Sequence, residues 1–79
     1  MSVLCNLSDI DIYIDGEHMG KGLITYTVPQ GASTIEITCM YNGKEVAKRI
    51  APVKNKTLYE VYLSDDFLYS TNPIIYKSR

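Results

Sequence analysis

Seventy-nine residues, 46% apolar and 22% charged, make one domain near the small end of what folds without staples and exclude a disordered chain. The net charge of −1 excludes the basic face that non-specific nucleic-acid binding draws on, since the basic residues only scatter over Lys44, Lys48, Arg49, Lys54 and Lys56. No span approaches the ~18 apolar residues of a membrane helix, so membrane insertion is not expected.

In chain order, no apolar run long enough for an export signal precedes Cys5. As written the chain reads as cytoplasmic, or as a cell-envelope domain if excised from an exported parent. Ile10, Ile12 and Ile14 then alternate with Asp9, Asp11 and Tyr13. That period of two puts three isoleucines on one strand face and two solvated carboxylates on the other. Asp15-Gly16 reads as a turn, because Gly tolerates positive φ and Asp bonds its own backbone. His18 falls in the loop that follows, and Gly20 and Gly22 let the chain bend or bulge into a second strand from about Leu23 to Val28. Pro29-Gln30-Gly31 closes that strand.

The next strand is the clearest. Ile35, Ile37, Cys39 and Tyr41 share one face and Thr34, Glu36, Thr38 and Met40 the other. Asn42-Gly43 is a strong hairpin signal, since a type I′ turn needs positive φ at both central positions. The return strand carries Val46 and Ile50 on one side, interrupted by Lys48, which marks a sheet edge. After Ala51-Pro52 and a polar loop, Tyr59, Val61 and Leu63 form one face of a fifth strand and Leu58, Glu60 and Tyr62 the other. Phe67 to Ser70 suits either a helical turn capped by Asp65 or a sixth strand. The apolar Ile74, Ile75 and Tyr76 imply that residues 64–79 dock on the body formed by about residues 9–63. The whole reads as a single all-β domain, a small β-sandwich of five to six short, mainly antiparallel strands.

The order of Ile12, Ile14, Asp15, Gly16 and Gly20, then Gly31, Ile35 and Ile37, then Gly43 resembles the PEGA domain over roughly residues 9 to 63. The pattern departs from that family at Lys21-Gly22, where Thr-Pro is common, and at Lys44, where an aromatic often follows the turn. The resemblance implies a β-sandwich accessory or interaction module of bacterial surface and envelope proteins, with no catalytic residues or cofactor.

Candidates for chemistry are few. His18 beside Glu17 has no nucleophile tied to it by a recognisable motif, and reads as a solvated histidine. Gly16 to Gly22 lacks the spacing, the Ser/Thr and the following helix of a phosphate loop. Counting from Asp9, the twelfth residue is Gly20, not the bidentate Glu of an EF-hand. Cys5 and Cys39 are too few for a metal motif. One disulfide between them is arithmetically possible, and Cys39 reads as a small buried strand residue.

Seven tyrosines without tryptophan are the one feature that suggests binding, because the ring buries area while the hydroxyl stays wet. Tyr13, Tyr26, Tyr62 and Tyr76 are the candidate partner-binding residues. The expected function is a non-enzymatic module for another protein or a neighbouring domain. A carbohydrate-binding module, in which tyrosine rings stack on a glycan, is the alternative, followed by a small intracellular inhibitor or phage-type accessory protein that blocks sterically.

Overall fold

The computed structural model of the chain describes residues 1–64. Seven strands run through them: β1 (Ser2–Cys5), β2 (Asp11–Ile14), β3 (Glu17–Lys21), β4 (Leu23–Thr25), β5 (Thr34–Tyr41), β6 (Lys44–Pro52) and β7 (Leu58–Val61). They form a four-stranded sheet in the order β3-β2-β5-β6 and a three-stranded sheet in the order β4-β1-β7. Every pairing is antiparallel except that of β1 with β7. The domain is a small all-β sandwich. The docking expected for residues 64–79, the helical turn or strand at Phe67 to Ser70, and Tyr76 lie outside the described residues, apart from Ser64.

The core comes from the inner faces of both sheets. Ile12, Ile14, Ile35, Ile37 and Cys39 of the four-stranded sheet meet Val3, Cys5, Ile24 and Val61 of the three-stranded one, with Ile10 beside them. Alternation explains the selection: one residue in two on a strand faces inward. Full burial of each such branched side chain contributes ~1.5–3 kcal/mol relative to exposure. Both cysteines are buried and free, and burial, reinforced by Cys5, pushes the Cys39 thiol up to about 11.

The two hairpin dipeptides behave as their chemistry requires. Asp15 and Gly16 have φ of 49° and 88°, and Asn42 and Gly43 have 51° and 77°, so both central residues of each turn are left-handed. Asp15 does more than turn. Its backbone N–H donates to Glu36 O at 2.8 Å, and its Oδ1 accepts from Glu36 N at 2.9 Å, which carries the β2–β5 ladder past the end of the strand. Asn6 does the same for the other sheet. Its Nδ2 donates to Leu63 O at 2.9 Å and its Oδ1 accepts from Leu63 N at 2.8 Å.

Between β3 and β4 there is no loop. A single residue, Gly22, separates Lys21 in the four-stranded sheet from Leu23 in the three-stranded one. Gly22 N donates to Ile10 O at 3.0 Å, and Gly22 O accepts from Cys5 N at 2.6 Å, so the corner is bonded on both sides. Its φ is +73°, and a Cβ there would lie 3.2 Å from both Cα and O of Ser8. Only glycine fits this corner without strain.

Three features differ from the sequence reading. Ser2–Cys5 is a strand, and it is the centre of its sheet; four residues give too short an alternation to be seen. His18 lies in strand β3 rather than in a loop, because the Asp15-Gly16 turn is tight and pairing resumes at once between Ile14 and Glu17. A bulge follows, since Ile12 opposes Gly20 while Tyr13 opposes His18, leaving Met19 as the extra residue. Finally, Val46 and Ile50 of β6 do not share one side, because a register shift leaves Val46 as an extra residue between Glu45 and Ala47, half-buried against the core. The register sets Ala47 opposite Cys39 and Ala51 opposite Ile35, so the alanines are buried and Ile50 is 61% exposed. The edge position expected from Lys48 is observed, with β6 outermost in its sheet.

Two outcomes follow from the corner and the core. Gly22→Ala loses ~1–2 kcal/mol from its left-handed backbone alone, plus the crowding at Ser8. It therefore unfolds at a lower urea midpoint than Gly43→Ala, which has the same backbone sign but nothing within 4 Å of the added Cβ; equal midpoints would refute the corner. The raised Cys39 thiol means that the folded chain holds this proton more tightly than the unfolded chain does. Its contribution is intact below pH 9 and is lost as pH rises toward 11. Cys39→Ala therefore shows a shallower fall in stability over that window, measured by urea titration at each pH.

Candidate functional site

The outer face of the four-stranded sheet gathers most of the chemistry that the sequence offers. Alternation sends Asp11 and Tyr13 of β2 to the side opposite Ile12 and Ile14. The register then sets Met40 beside Asp11 and Thr38 beside Tyr13 on β5, with His18 beside Tyr13 on β3. His18 Nε2 lies 2.9 Å from Asp11 Oδ1, a contact diagonal to the ladder and reachable because the bulge re-aims β3. The Tyr13 and His18 rings stand 5.0 Å apart at 59°, within the range of a tilted aromatic contact. Asp11, His18 and Tyr13 thus hold one another in place.

Beside them the surface dips. Tyr13, Gly16, Thr38 and Met40 line an open depression of about 200 Å³. Its walls are mainly carbon: the tyrosine ring, the methionine thioether, the threonine methyl and the bare turn glycine. Farther along the same face Lys48 Nζ sits 3.7 Å from Glu36 Oε2 and 3.9 Å from Glu45 Oε1. These are loose, exposed ion pairs that set local charge more than stability.

The arrangement sets an apolar depression with an aromatic wall beside a carboxylate–imidazole pair. The His18 partner is Asp11, and the side chain of His18 is half exposed. Asp15, which the sequence set beside Asp9 and Asp11, turns its Oδ1 to the Glu36 backbone instead. Among the described residues, no group of three or more His, Cys, Asp or Glu side chains is placed to hold a metal.

The described candidate tyrosines, Tyr13, Tyr26 and Tyr62, lie apart on the two sheets. Tyr13 is on the outer face of the four-stranded sheet. Tyr26 follows β4 and packs, partly buried, against the core. Tyr62 follows β7 at the other sheet and is 68% exposed, with its hydroxyl donating to Glu60 Oε2 at 3.1 Å. That bond holds the Tyr62 phenol above its ordinary pKa. Met40, Thr38 and His18 are the site residues that the sequence reading did not gather. Their cross-strand register was the missing information, although Thr38 and Met40 share the outward parity of Thr34 and Glu36.

No family model, curated protein or solved structure matches the chain.

His18 contacts both the Asp11 carboxylate and the Tyr13 ring. His18→Ala changes folding stability by no more than ~0.5–1 kcal/mol, the range for an exposed pair, and leaves the melting profile cooperative. A loss of several kcal/mol in the same thermal scan would instead make the Asp11–His18 pair a structural requirement of β3.

Proposed function

We propose that this chain is a non-enzymatic, PEGA-like accessory module that binds a partner protein or a neighbouring domain through the outer face of its four-stranded sheet. The observation that carries the reading is the depression between Tyr13 and Met40. Tyrosine and methionine are the residue types enriched at the centres of protein interfaces, the first for rigid amphipathic area and the second for adaptable packing. The depression is of a size to take one apolar side chain, and the ion pairs of Lys48 with Glu36 and Glu45 supply a polar rim. Such a site needs no bound cofactor.

A second reading is favoured by one detail. The Tyr13 ring stands beside the Asp11 carboxylate and the His18 imidazole, the pairing of aromatic surface and hydrogen-bonding groups that suits a sugar ring. The mainly apolar walls favour the protein partner over the glycan.

The two separate cleanly. Tyr13→Ala and Met40→Glu both abolish capture of a specific protein partner by the immobilised chain, while their melting temperatures stay within a few degrees of the parent. On a glycan array the parent chain gives no signal above background. A tyrosine-dependent signal on that array would transfer the site to the second reading, and unfolding of both variants would return these side chains to a purely structural role.

A further inference from the structure

The basic residues that lie scattered in the sequence come together along one edge of the structure. Residues 44–56 hold five of the chain's eight basic residues, Lys44, Lys48, Arg49, Lys54 and Lys56, against one acid, Glu45. Residues 1–43 hold the reverse, five acids and only Lys21. The fold places the first group on β6 and the loop after it, and β6 is the outermost strand of its sheet. Lys48 is shared between Glu36 and Glu45. Among the described residues, Lys44, Arg49, Lys54 and Lys56 have no ion-pair partner.

This edge is also unfinished as a ladder. β6 is the longest strand among the described residues, and it pairs only with β5. Its far side therefore presents a row of N–H and C=O groups with no strand to receive them. Arg49 Nη1 donates to Lys48 O at 3.1 Å, an exposed contact that a carboxylate can displace. Ile50 is exposed on the same strand. An added strand thus meets main-chain partners, an apolar contact at Ile50 and cations along its length.

Charge and hydrogen bonding together choose the occupant. A second copy of β6 brings one net-positive strip against another, and that repulsion opposes pairing. The β3 edge of another copy carries Glu17, but the bulge at Met19 breaks its ladder. Residues 65–79 hold Asp65 and Asp66 but also Lys77 and Arg79, so charge does not select them. Nucleic-acid phosphates meet the cations and accept from N–H groups, yet offer no row of donors to the carbonyls. An acidic polypeptide strand satisfies both requirements.

We infer that the free edge of β6 takes an extended, acidic segment of another protein as a fifth strand of the four-stranded sheet. The lysines that keep apolar and basic strands off this edge attract an acidic one. The contact lies at the rim of the sheet and does not depend on the Tyr13–Met40 depression.

Amide NMR of the isotope-labelled full chain, titrated with a synthetic peptide alternating valine and glutamate and about as long as β6, tests it. The peptide binds with a Kd between about 10 μM and 1 mM. Its shifts concentrate on Lys44–Pro52, where amide exchange also slows. Lys44→Glu and Arg49→Glu each weaken binding at least about fivefold while keeping the parent's circular dichroism, because both side chains are exposed. Exchanging the peptide's glutamates for lysines abolishes binding. So does methylating its backbone amides, which blocks the ladder and leaves the charge unchanged. No binding at about 1 mM, or shifts centred away from β6, overturns the inference. Equal binding of the methylated peptide, or tighter binding of a single-stranded oligonucleotide of the same charge, reduces the edge to an anion surface and equally refutes the added strand.

Discussion

Everything in this sandwich hangs on the corner at Gly22. A two-sheet protein needs chain segments that leave one sheet and enter the other, and most do so through a loop with room to adjust. Here a single residue makes the change, bonded on one side to Ile10 and on the other to Cys5. Its carbonyl and amide are thereby satisfied at a place where water has little access. The spacing it sets between β3 and β4 fixes where Ile24 enters the core. It also explains Gly20, whose missing Cβ leaves room for the Ile24 side chain at what would be 2.9 Å. The two glycines and one isoleucine form a single packing unit.

With the corner in place, the division of labour between faces follows from parity. The buried inward positions are filled by isoleucine, valine, cysteine and alanine. Outward positions are free to differ, and they differ by sheet. The four-stranded face is wide, charged and dimpled; the three-stranded face is narrow and apolar. Both edges of the larger sheet carry devices that discourage further pairing. A bulge at Met19 disturbs β3, and β6 carries Lys48 on the face beside its open edge.

How much of this was legible beforehand depended on the length of each pattern. Thr34 to Tyr41 alternates over eight residues, and its inner face was readable down to Cys39. The Asn42-Gly43 and Asp15-Gly16 turns were readable because few dipeptides tolerate their backbone. Ser2–Cys5 was not, since four residues between no turn signals carry no period. The sides of β6 were not legible, because a register shift at Val46 breaks the alternation and the core takes the two alanines rather than Ile50. The site suffered most. Tyr13 was marked by its residue type, but its neighbours Thr38, Met40 and His18 are joined to it only by cross-strand register, which a bulge alters by one residue. Composition does not carry placement: the three described candidate tyrosines fall on two sheets, and Tyr26 packs against the core.

The parallel pairing of β1 with β7 orders the assembly of the chain in time. Val3 lies beside Tyr59 and Cys5 beside Val61, so the central strand of the smaller sheet has no neighbour on that side until most of the chain has been synthesised. The β2–β3 and β5–β6 hairpins can close locally, long before that. During translation the larger sheet is thus able to form first, with its apolar inner surface lacking part of its cover. Closure of the sandwich depends on the longest-range strand pairing among the described residues, the kind that slows folding most. The Asn6–Leu63 bonds at the open end of that pair then act as a latch on the last event rather than a seed for the first.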